Sequence, residues 1–185
     1  CKRLVRWLNC KKFLRRMSLK LDSLSPIDLV ILVAESDLSF SASERKMLSE
    51  LFWVLNEKKA PLAVRELNRL PEVKSQLDLV GYIKKRSEEI SSYVDKAEFD
   101  GNKMLRKELC LDILANLKKE QMLLWLGLAI YVSASDQGND PISKKLTSIE
   151  NKFFSDLCSS ISLFEGINVN EVAKRCVEFV KGAVK

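Results

Sequence analysis

Apolar residues run without a break from Met122 to Val132, eleven positions whose only polar atoms are the tips of Trp125 and Tyr131. A helix made of them is apolar on every side rather than along one stripe, which predicts a helix in the middle of a bundle. It is too short to cross a bilayer, which needs about 20 apolar residues. The run gives way at Ser133, Ser135 and Asp136, residue types that favour turns and caps over helix interiors. The chain holds a second run of this kind. With Asp37 set over Asp136, residues 27–37 lie over 126–136, and Ile27, Leu29, Val30, Ile31, Leu32 and Val33 all meet apolar partners. If the second loop is allowed seven more residues, 41–55 then lies over 147–161. Each of these stretches opens with a capping box, Ser41-x-x-Glu44 and Thr147-x-x-Glu150. In such a box the hydroxyl accepts from the N–H three residues on, while the Glu reaches back to the N–H of the cap.

Around these two pairs the pattern predicts further helices. Ser25-Pro26-Ile27-Asp28 is a strong helix start, with Pro at the first position and an acid in the first turn. Helices are expected over 26–35 and 41–56, joined by a loop at 36–40. A short helix over 62–70 is closed by Pro71. A long one over 72–97 turns Val73, Leu77, Val80, Ile83, Ile90 and Val94 inward. Residues 99–102 read as a turn by composition, and 103–117 as another helix, with Lys118 and Lys119 marking its end. After the central apolar helix come a loop at 137–146 and a helix over 147–165 stopped by Gly166. Asn168-x-x-Glu171 starts the last helix, which buries Val172, Cys176 and Val180. No segment alternates as a strand does. The expectation is an all-α bundle of about eight helices with two pseudo-repeated helical hairpins. It forms one domain over 25–185, with repeat halves at 26–56 and 121–165, preceded by an arm at 1–24.

Composition agrees with a helical globule. The chain has 185 residues, 46% of them hydrophobic, and only six Gly and four Pro, enough apolar material for a proper core. Charge changes the picture more. Eight of the 31 cations stand in residues 1–20 with no anion, leaving 23 cations against 25 anions over the other 165 residues. The body is therefore not basic, as a nucleic-acid-binding body would be. The cations Lys2, Arg3, Arg6, Lys11, Lys12, Arg15, Arg16 and Lys20 alternate with Leu4, Val5, Trp7, Leu8, Phe13, Leu14 and Met17. This is the pattern of a basic amphipathic helix, or a pair of them, lying on a surface. Three occupants stay open for it: the rest of the domain, an anionic membrane surface at about 1 kcal/mol per cation, and a nucleic acid or acidic partner. Cys rather than Met at position 1 points to a processed or trimmed chain, and the dense positive charge that follows disfavours a lipoprotein reading.

There are five Cys and no His. An odd count without a Cys-x-x-Cys pair is poor material for disulfides and points to a reducing, cytoplasmic compartment. Cys110, Cys158 and Cys176 fall on inward helix positions and read as small hydrophobes. Without His or a glycine-rich phosphate loop, no catalytic constellation is identifiable, and the expectation is a non-enzymatic binding or adaptor module with a protein partner.

The stretch from Ala34 through Asp37, Phe40 and Ser41 to Glu44 resembles the signature of TerB-like (tellurite-resistance) helical domains. In these an apolar helix runs into Ala-Asp-Gly, an apolar residue, a Ser or Thr cap and then Glu. Phe164-Glu165-Gly166-Ile167-Asn168 through Glu171 is similar to the closing turn of that family. Leu38 departs from the pattern where Gly would follow Asp, and the second half carries an inserted loop. The resemblance implies an all-α fold with two related hairpins and a stress-response module at the cytoplasmic side of a membrane. It also implies divalent-cation binding through Asp37 and Glu44 in one half and Asp136, Asp140 and Glu150 in the other. Each loop offers only two or three carboxylates where Ca²⁺ wants six or more oxygens, so capping of helix starts is favoured for these acids. No other cofactor is expected.

Overall fold

The structure is a computed structural model that describes residues 24–70, 72–137, 146 and 148–184. The basic arm lies outside these residues. Among those described there are eight α-helices and no strand. They are α1 Pro26–Ala34, α2 Ala42–Glu57, α3 Pro61–Leu67, α4 Gln76–Phe99, α5 Leu105–Leu114, α6 Lys119–Ser133, α7 Ser148–Cys158 and α8 Val169–Val184.

The two apolar runs form the centre. Every residue of α1 from Ile27 to Ala34 is buried, as is every residue of α6 from Leu124 to Ser133. The two helices pack on each other, and α6 packs still more extensively on α8. That second contact is close because of Gly127, where a Cβ would lie 2.4 Å from the Cys176 carbonyl oxygen and 2.5 Å from a Val180 methyl. Val172, Cys176 and Val180 form the buried stripe of α8, as their spacing predicts. Phe52 of α2 meets Trp125 of α6 with ring centroids 5.5 Å apart and planes tilted by 40°.

Both central helices end in a 3₁₀ turn, Glu35–Asp37 after α1 and Ala134–Gln137 after α6. These turns begin at aligned positions of the two halves. The aligned pairs Glu44 and Glu150, Leu48 and Phe154, and Leu55 and Ile161 are buried in both. The packing crosses between the halves. Helix α2 lies against α6 and the turn that follows it, while α7 lies against α1 and the turn after that helix. Helix α2 thus covers the apolar rod α6, and α7 covers the apolar rod α1.

Several boundaries differ from the pattern. Helix α4 begins at Gln76 rather than at residue 72. The Ser75 hydroxyl accepts from the Asp78 N–H at 3.2 Å, and the Asp78 carboxylate accepts from the Lys74 N–H at 3.1 Å, which fixes the start there. Leu77 in this first turn is 79% exposed instead of facing inward. Helix α3 covers Pro61–Leu67 instead of 62–70, and α5 covers Leu105–Leu114 instead of 103–117. Helix α7 stops at Cys158, well before Gly166. The hydroxyls of Ser159 and Ser160 donate back to the carbonyls of Ser155 and Asp156, a local competition that Ser brings to helix ends. Lys118 precedes α6 and does not close α5: its N–H donates to Gln121 Oε1 at 2.9 Å.

Candidate functional site: a trough beside the first helix

Helix α1 is buried, yet it carries one acid in its first turn and is followed by another. The Asp28 side chain is 0% exposed, so charge at this position requires a partner. Arg86 of α4 supplies it in a two-pronged pair, Nε to Oδ1 and Nη2 to Oδ2, each at 2.9 Å. Asp28 Oδ2 also accepts from the Ser25 N–H at 2.8 Å. Among the described residues the Ser25 hydroxyl finds no hydrogen-bond partner. The Arg86 guanidinium reaches Glu89 with Nη1 at 3.2 Å and is held firmly charged, first by its bonds to Asp28. At the other end of α1, buried Arg106 of α5 lies 3.4 Å from Glu35 and 3.5 Å from the Leu32 carbonyl. A cation there suits the carbonyl end of the helix dipole. Burial raises the Glu35 carboxyl above its usual range, against the lowering effects of Ser91 and Arg106. Two arginines from other helices thus hold α1 at its two ends.

The Arg86 end opens to solvent. A groove of about 450 Å³ has Ile27 and Phe52 in its floor, Leu24 and Leu70 in its walls, and Glu66, Arg69, Tyr82 and Arg86 on its polar side. A second hollow of about 480 Å³ shares Tyr82 and Arg86 with it and adds the acids Glu72, Asp78 and Glu89. A third, of about 150 Å³, shares Leu24, Glu66 and Arg69 and adds Arg65. The three hollows share these side chains and lie side by side as a trough beside the start of α1.

Burial and charge tune the groups along it. Glu66 is buried and its carboxyl is raised, chiefly by desolvation, although Arg69 at 3.1 Å and Arg65 act against this. The Tyr82 phenol is pushed up to about 12, by burial first and then by the charge of Asp28. At neutral pH it is therefore a hydrogen-bond donor. Apolar lining with a few convergent polar groups and perturbed acids is the general form of a binding pocket.

The acids singled out in the sequence sit elsewhere. Asp37 is half-buried at the 3₁₀ turn, where its Oδ1 accepts from both the N–H and the hydroxyl of Ser39. Glu44 is buried and closes the capping box: its Oε2 accepts from the Ser41 N–H at 2.7 Å, and the Ser41 hydroxyl accepts from the Glu44 N–H at 3.1 Å. Glu150 is buried in the first turn of α7. The side chain of Asp136, and Asp140 altogether, lie outside the described residues, as do Lys2, Arg3, Arg6, Trp7, Lys11, Lys12, Arg15 and Arg16. Among the described residues no three His, Cys, Asp or Glu side chains are grouped to hold a metal. Cys110, Cys158 and Cys176 are buried free thiols, each raised to about 12 by desolvation.

Sequence reasoning missed the trough. One signal for part of it was present, an acid standing inside an otherwise apolar run at Asp28, since a buried carboxylate implies a cation from elsewhere in the fold. Which cation answers is a long-range matter, 58 residues away in this case. Compared with known protein families, curated proteins and solved structures, the chain matches none, so its resemblance to TerB-like domains rests on the motif residues alone.

Proposed function

We propose that this protein is a non-enzymatic helical binding module, related to the TerB-like domains, that attaches through its basic arm to an anionic membrane surface on the cytoplasmic side. The observation that carries the membrane part is the segregation of charge: eight cations and no anion in residues 1–20, against 23 cations and 25 anions in the rest. No helix of the described residues is long and apolar enough to cross a membrane. In the arm, Trp7, Leu8 and Phe13 supply apolar anchors among the cations. The binding-module part is supported by the trough and by the chemistry of the described thiols. A thiol raised to about 12 is not ionised at neutral pH, and it is the thiolate that acts as nucleophile.

Co-sedimentation with vesicles tests the arm. The full chain is expected to bind phosphatidylserine-containing vesicles and to lose most of that binding when residues 1–20 are removed. Binding that partly survives 0.5 M salt marks insertion of the apolar anchors. Affinity for DNA or RNA that exceeds vesicle affinity and collapses with salt would favour the nucleic-acid reading instead. Equal vesicle binding with and without the arm would remove both. The divalent-cation reading rests on the loop acids Asp37, Glu44, Asp136, Asp140 and Glu150, of which Glu44 also closes its capping box. Titration calorimetry with Ca²⁺, Mg²⁺ and Zn²⁺ decides it, and absence of heat rejects it.

A further inference from the structure

Leu24, which follows directly on the arm, is already seated. It packs against the core and lines both the groove of about 450 Å³ and the hollow of about 150 Å³. The segment before it therefore leaves the body beside that groove. The charges lining the groove are answered within the body, Glu66 by Arg69, and Arg86 by Asp28 and Glu89. What it offers an occupant is apolar surface, Leu24 and Leu70 beside Ile27 and Phe52. It asks for apolar side chains rather than for a charge of either sign.

The sequence just upstream supplies them at helical spacing. Leu14, Met17 and Leu21 succeed one another at three and four residues, and Leu24 comes three further on. At 3.6 residues per turn these positions share a sector of about 80°. Lys12, Arg15, Arg16 and Lys20 fall on the opposite side. Leu4, Val5, Trp7 and Leu8 centre about 130° away from the sector, so one helix cannot lay both apolar faces on the same flat surface. Of the membrane anchors, Trp7 and Leu8 lie outside the sector and Phe13 borders it. Three residues of chain span at most about 11 Å, which keeps Leu21 close to the groove. A segment tethered so closely acts at an effective concentration on the order of millimolar, and a modest apolar contact then suffices to seat it. We infer that the groove is covered by this chain's own residues 14–21, as a helix that turns Leu14, Met17 and Leu21 toward Leu24 and Leu70 and its cations toward solvent. The hollow of about 480 Å³ stays open to a partner. The first half of the arm stays free for a membrane, so docking and membrane attachment can fail separately.

Hydrogen exchange of the full chain, read by mass spectrometry, tests the docking. Amides of 14–21 are expected to exchange about tenfold or more slowly than those of an unstructured peptide of the same sequence. M17D/L21D sets two carboxylates in the stripe, and L70D sets one in the groove wall. Each is expected to abolish that protection, with unchanged exchange in α6 showing that the variant folds. Combined, they are expected to lower the melting temperature no further than the more damaging of the two alone, because both break one contact. L4D/W7D, on the other face, is expected to leave protection and melting temperature as they are. Exchange of 14–21 at the unstructured rate, protection that survives L70D, or fully additive losses in melting temperature would overturn the proposal. So would protection that appears only as protein concentration is raised, since a second copy would then supply the cover. Absence of vesicle binding in every form removes the membrane reading and leaves this result standing.

Discussion

At the scale of single residues, the decisive group is the carboxylate of Asp28, which is buried against the Arg86 guanidinium in a two-pronged pair. With Asp28 fully buried and Arg86 only 11% exposed, removing one partner strands the other. Arg86→Met is expected to destabilise the fold by about 3–5 kcal/mol, read by urea denaturation, whereas replacing both residues with apolar side chains of like size recovers most of that. A loss below about 1 kcal/mol would show the pair to be solvated, as exposed pairs are. Glu66 gives a prediction of opposite character. Its carboxyl is raised in the fold by burial, so between the unfolded value and the raised one the folded state holds a proton that the unfolded state has released. Stability from this group is therefore greatest at acid pH and falls as pH rises through that window. Melting curves from pH 4 to pH 8 are expected to show Glu66→Gln gaining on the parent protein as pH increases. A constant difference would mean that Glu66 titrates normally.

Among elements, the crossing of α6 and α8 is the closest approach at any described glycine. Gly127→Ala drives a methyl against the Cys176 carbonyl, and because backbone cannot step aside, a cost of about 1–3 kcal/mol is expected from overpacking. Gly81, on α4, has open space where a Cβ would stand, with no neighbouring atom within 4 Å. There the same substitution is expected to stabilise by about 0.5–1 kcal/mol, through helix propensity alone. Thermal denaturation of the two variants side by side checks both signs. The helices themselves were readable along the chain: two apolar rods, the box at Ser41 and Glu44, and the stripe of α8. The readings that failed did so at ends. Leu77 was expected inward, but six residues before the buried Ile83 it stands about 120° round the helix from that stripe, which leaves it in solvent. Serines 159 and 160 end α7 early by bonding to their own backbone. Such local hydroxyl bonds compete with helix continuation at energies too small for hydrophobic periodicity to register.

For the whole molecule, residues 27–55 and 126–161 run through an apolar helix, a 3₁₀ turn and a second helix in the same order, and the aligned pairs Glu44 and Glu150, Leu48 and Phe154, and Leu55 and Ile161 are buried. A crystal structure is expected to superpose residues 27–55 on 126–161 by a rotation near 180°, which would carry the contact of α2 with α6 onto that of α7 with α1. Halves that do not superpose would reduce the alignment to a chance likeness of two apolar helices. The crossed packing has a physical reason. Each rod is apolar all round and needs cover on several sides, which a single amphipathic neighbour in the same half does not supply.

The sequence by itself determined the all-helical class, the two rods at the centre, the inward cysteines and the concentration of cations at the start of the chain. These follow from composition and from periodicities a few residues long, which local backbone geometry turns into faces. Only the tertiary structure decided that Arg86 answers Asp28, that Arg106 answers Glu35, that α2 packs on α6 and α7 on α1, and that a trough lined by Glu66, Arg69, Tyr82 and Arg86 lies beside the start of α1. Those facts join residues far apart along the chain, and their energies come from burial, which no window of sequence contains.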